Sequence, residues 1–72
     1  MAYLKQCVLI SRQVGQSMSI ATAKKRSAYA NAAFYQTMGL KAQANRKRAQ
    51  ADAEFNRERE RLLNYMEVNG CL

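Results

Sequence analysis

The sequence predicts an all-α, elongated chain: a long helix over residues 19–68, preceded by a short apolar helix and ordered mainly within an assembly. Three observations carry this. From Ser19 to Val68 there is no proline and one glycine, Gly39, in a stretch dense in Ala, Gln, Arg, Lys and Glu. Those residues lose little rotamer freedom in a helix. Leu, Ile, Val and Phe together number only 13 of the 72 residues, and 12 of the residues counted as hydrophobic are alanines. A core built from them is thin, and the formal net charge of +7 opposes collapse further. An uninterrupted helix of that span would reach ~75 Å at ~1.5 Å per residue. Such a rod cannot bury itself, so neighbouring subunits are expected to supply the missing contact.

Residues 1–14 form an apolar anchor segment. Leu4, Cys7, Val8 and Val14 approximate helical spacing, while Cys7-Val8-Leu9-Ile10 has the β-branched content of a short strand. Helix is favoured, with a strand added to a partner's sheet as the competitor. Gly15 to Ser19 reads as a loop in which Gly15 ends the first helix and Ser17 or Ser19 caps the second. A continuous bent helix is the other solution there. No linker divides the chain, which is read as one non-globular unit.

Within the long helix, Ala30, Ala33, Thr37, Leu40, Ala44 and Ala51 recur three or four apart except at Lys47 and Arg48. Phe55, Leu62 and Met66 carry the stripe onward after a slip of register. Ala30, Ala33, Leu40, Ala44, Phe55, Leu62 and Met66 are the residues expected to pack on partner helices. Ile20, Asn31, Phe34, Met38, Ala42, Ala49 and Ala53 form a second stripe on another face, implying more than one close neighbour. Gly39 costs a helix ~1 kcal/mol relative to alanine and marks a kink, a break or a close backbone contact. Asn69-Gly70 closes the helix, and residues 69–72 form a tail.

Charge is segregated. Residues 1–51 hold nine of the 12 Lys and Arg and no acid, whereas all five acids fall from Asp52 onward. A long helix is favoured by acids at its N-terminal end and bases at its C-terminal end, so this order implies an acidic partner for the basic half. Lys24, Lys25, Arg26, Lys41, Arg46, Lys47 and Arg48 form a broken ridge, its two clusters ~33 Å apart on one helix. Contact with a phosphate backbone through that ridge would be independent of base sequence. Tyr29, Phe34 and Tyr35 lie near enough to stack on bases, and the apolar anchor suits a membrane surface.

Enzymatic chemistry is not expected. The chain has no histidine, which removes the usual general base and the commonest nitrogen ligand. Glu54 and Glu58 share a face at a spacing a metal pair could use, but Arg57 and Arg61 favour ion pairing there. No cofactor, metal or catalytic residue is assigned. Cys7 and Cys71 stand at opposite ends of the chain and are expected to be two unpaired thiols in a reducing compartment. No signal peptide or spanning segment is recognisable.

The segment CVLISRQVGQ, followed by AYANAAFYQTMGLKAQANRKRAQADAEFNRERER, resembles the helical internal virion, or ejection, proteins of short-tailed phages. The resemblance is one of texture: a short apolar segment, a glycine, then a long helix of Ala, Gln, Asn and Arg. It implies a virion component, internal or portal-associated, that packs against portal or neighbouring subunits and leaves the particle with the DNA. Its location would be the virion, or the host cytoplasm before assembly.

Overall fold

A computed structural model describes residues 5–72, which form an antiparallel helical hairpin. Helix α1 spans Lys5–Thr37 and α2 spans Lys41–Val68. At ~1.5 Å per residue they measure ~50 and ~42 Å, and the folded hairpin fills 55 × 16 × 14 Å. The expected all-helical character holds among the described residues, which contain no strand.

The arrangement of the helices differs from the expectation in several places. The long helix over 19–68 does not exist as one element, because Gly39 takes φ +82° and reverses the chain. L-residues with a Cβ rarely enter that left-handed region. The Leu40 N–H donates to the Tyr35 carbonyl and the Gly39 N–H to the Gln36 carbonyl, each at 3.0 Å. These paired bonds form a Schellman motif, which satisfies the carbonyls left open at a helix end. The same motif closes α2: Gly70 has φ +69°, the Cys71 N–H donates to Met66 and the Gly70 N–H to Glu67.

Residues 15–19 are helical, so of the two solutions the continuous helix holds and the loop does not: the apolar segment runs into the basic stretch as one helix from Lys5. Gly15 carries no positive φ and does nothing but lower the local helix preference. The strand alternative for the anchor is overturned for residues 5–14, while Met1 to Leu4 lie outside the described residues.

The cysteines are paired. Cys7 and Cys71 lie equally far from Gly39 along the chain, so reversal at that glycine brings them together as a disulfide with a Cα–Cα distance of 5.3 Å. The expectation of free thiols rests on a separation of 64 residues along a straight rod. The fold-back removes that separation.

The helices meet along a narrow seam. On α1 the buried and half-buried positions Cys7, Ser11, Val14, Met18, Ala21, Lys25, Ala28, Ala32 and Tyr35 alternate four and three apart. This is a heptad repeat. On α2 the seam runs Ala44, Arg48, Ala51, Phe55, Glu58 and Leu62, then Met66. No slip of register occurs at Ala51: of the two interrupting residues Arg48 fills a seam position, and Glu58 fills the position between Phe55 and Leu62. Cys7, Ile10 and Cys71 form the apolar cluster at the open end, with Val14 and Met66 packed on it. Towards the turn the buried residues are alanines, Ala32 and Ala44 being fully enclosed.

Two measurements test this packing. Gly39→Ala is expected to destabilise the hairpin by ~1–2 kcal/mol in thermal or urea melts, through backbone conformation alone, since a Cβ there meets nothing within 4 Å. Opening the disulfide frees a loop of sequence separation 64, worth about 4 kcal/mol in the chain-entropy model. Reduction, or Cys7→Ser with Cys71→Ser, should therefore lower the midpoint of the helical circular-dichroism signal steeply.

Candidate functional site

Three regions of the hairpin carry side chains that are not consumed by the apolar seam: a polar node at mid-length, a lateral groove beside it, and the turn.

The node is built by the antiparallel alignment, which sets the basic part of α1 against the acidic part of α2. Lys25 occupies a seam position and its ammonium lies 3.4 Å from Asp52 Oδ1. It also sits 4.7 Å from the Phe55 ring centroid and 5.8 Å from that of Tyr29. Its aliphatic stem thus packs in the seam while the charge reaches the edge. The Tyr29 hydroxyl donates to Asp52 Oδ1 at 2.6 Å. That bond, then the Lys25 ammonium, holds the Asp52 carboxyl below the usual carboxylate range. The same bond raises the Tyr29 phenol, because deprotonation would face the carboxylate. Further along α2, Arg61 Nε donates to Glu58 Oε2 at 3.1 Å. This hydrogen bond chiefly lowers the Glu58 carboxyl, with the nearby Lys24 adding to the effect.

The acidic partner expected for the basic half is therefore supplied in part by the chain itself. Lys25 meets Asp52, and Lys24 lies within the field of Glu58. The ridge along one helix does not form, because its two clusters lie on different helices. Lys24 and Lys25 stand beside acids, and Arg26 lines a shallow concavity on the outer side of α1 with Met18 and Thr22. Lys41, Arg46, Lys47 and Arg48 gather at the turn instead. There Arg48 donates to Gln36 Oε1 at 3.0 Å and to Asn45 Oδ1, and Lys47 lies 4.9 Å from the Tyr35 ring centroid.

The lateral groove, of about 440 Å³, lies between the helices on one side. Ser17, Ala21, Ala28 and Ala51 are small enough to keep its floor low, and Ile20 and Phe55 give it apolar walls. Lys24, Glu54, Arg57, Glu58 and Arg61 surround them.

Of the residues expected to pack on partner helices, Ala44 and Leu62 are buried within the hairpin, and Phe55 and Met66 are half-buried along its seam. Ala30, Ala33 and Leu40 are exposed, as are Phe34, Met38 and Ala42 of the second stripe. Sequence reasoning missed Tyr29 and Asp52 as a pair, since nothing but the reversal at Gly39 relates them. Ala28 and Ala32 were missed as seam positions because a stripe extended straight through that glycine passes them by.

Among the described residues no three His, Cys, Asp or Glu side chains converge as a metal site, and no helix is long and apolar enough to cross a membrane. Comparison with family models, curated proteins and solved structures finds no match to this chain.

The node has a pH signature. A carboxylate held below its ordinary range stabilises the fold fully above its unfolded value, and that contribution is lost as pH falls through the depressed value. For Tyr29, raised above its ordinary value, the contribution is present below that value and is lost as pH rises through the raised one. Tyr29→Phe is expected to shift the Asp52 carboxyl titration upward by carbon-detected NMR. The variant should also lose the high-pH step.

Proposed function

We propose that this chain is a non-enzymatic building block of a larger protein assembly, a pre-folded hairpin that packs laterally against neighbouring helices. The observation that carries this reading is the groove beside the seam. Small residues on its floor permit close approach of another helix, and Ile20, 59% exposed, stands at its edge with no covering in the hairpin. A two-helix unit has one seam and leaves each helix with an unburied flank, so a third and fourth helix are the usual completion of such packing. The mixed charges around the groove give a neighbour both signs to pair with, which favours register over raw affinity. On the resemblance to internal virion proteins, the assembly is a short-tailed phage virion, and the hairpin is an internal, ejection or portal-associated component of it.

The test is association of the oxidised chain, followed by light scattering or sedimentation over a wide concentration range. The proposal expects oligomers that grow with concentration. Ile20→Glu, at an exposed position on the groove edge, should dissociate them while leaving the helical signal of the monomer intact. A monomer at every concentration, unchanged by Ile20→Glu, would remove this reading.

A further inference from the structure

We propose that the turn of the hairpin is a docking surface for an anionic phospholipid membrane, entering the headgroup layer by its tip. This surface is distinct from the lateral groove and does not depend on it. The tip is the end of a rod 55 Å long and only 16 × 14 Å in section. Phe34, Met38 and Leu40 stand exposed there, at 63%, 58% and 38%. Phe34 meets Tyr35 edge to face, with centroids 6.3 Å apart, which joins the exposed side chain to a half-buried ring.

Beside these apolar groups lie four cations: Lys41, Arg46, Lys47 and Arg48. No acid precedes Asp52 in the sequence, and that carboxylate is engaged by Lys25 and Tyr29. Asp52 also lies ~16 Å down α2 from Lys41, at ~1.5 Å per residue. The polar partners of Arg48 are the neutral Gln36 and Asn45, and Lys47 lies over an aromatic ring. Arg48 lies one turn from Asp52 and shares its field with Tyr29, but the charges of Lys41, Arg46 and Lys47 are not cancelled by any acid nearer the turn. For Lys41 helix stability does not account for the charge either, because this residue opens α2, and a cation at a helix N-terminus is unfavourable.

The exposed apolar groups decide between the polyanions. Apolar side chains set among cations match an anionic bilayer surface, where apolar groups sink below the phosphates while Lys and Arg stay among them. A phosphate backbone would leave Met38 and Leu40 without a partner, and would find the flanks interrupted by Asp52 and Glu58. Among the described residues no helix is long and apolar enough to cross the bilayer.

Flotation of the oxidised full chain with vesicles tests this, comparing phosphatidylcholine alone with mixtures containing phosphatidylglycerol, and with duplex DNA in a parallel retention assay. The expected result is flotation only with the anionic mixture, declining as salt rises. Phe34→Ser and Met38→Ser should each weaken it on the order of tenfold, and Lys41→Gln about fivefold. Val68→Ser, at an 86% exposed position near the opposite end, should leave it unchanged. Circular dichroism confirms the fold of each variant. No flotation, equal flotation with neutral vesicles, equal loss in Val68→Ser, or DNA retention without flotation would each overturn the proposal. None of these outcomes bears on the lateral groove, which is read by association in the absence of lipid.

Discussion

The hairpin depends on its covalent clasp. The seam between α1 and α2 is made largely of alanine towards the turn, and at mid-length it admits Lys25 and Glu58. Each buried alanine removes little apolar surface from water, and a two-helix contact has no second layer to add to it. The apolar cluster at the open end is small and includes the two disulfide cysteines themselves. Cross-linking there lowers the entropy of the unfolded chain and compensates for what the seam lacks, as it does in other small folds with insufficient cores.

Closure of the hairpin also resolves the arrangement of charge. Along a single helix, bases first and acids last oppose the macrodipole throughout. In the antiparallel pair the dipoles of the two helices run in opposite senses, and the acids of α2 come to stand beside the bases of α1. Lys25, Asp52 and Tyr29 then tie the helices together at mid-length by polar contacts. Both members of the ion pair are partly solvated, so its value lies more in alignment than in stability. The cations nearest the turn have no acid on either helix beside them before Asp52. A distribution that looks arbitrary along the chain becomes, in the fold, a middle of mixed charge and a basic end.

Helical character was legible in the composition, and much of the inner face of α2 was legible in the spacing of Ala44, Ala51, Phe55, Leu62 and Met66. The reversal was not, although a local signal for it exists. Gly39 is followed by Leu40, an apolar residue at the position where a Schellman motif places one, as Gly70 is followed by Cys71. Gly15 is followed by polar Gln16 and preceded by Val14, and it stays helical. With Gly39 as a cap, the equal distances to Cys7 and Cys71 and the complementary charges fall into place together. The polar seam positions were obscured by chemistry: Lys25, Arg48 and Glu58 carry long stems that pack as apolar chains, yet they count as surface residues in any reading of pattern.

The clasp has a mechanical consequence. Lys5 and Leu72 emerge at the same end, on the outer side of the bond between Cys7 and Cys71. Tension applied through these two points is borne by a sulfur–sulfur linkage and never reaches the alanine contacts between the helices. An oxidised hairpin would therefore transmit a pull without being unzipped by it, and a reduced one would open from that end like a pair of tongs.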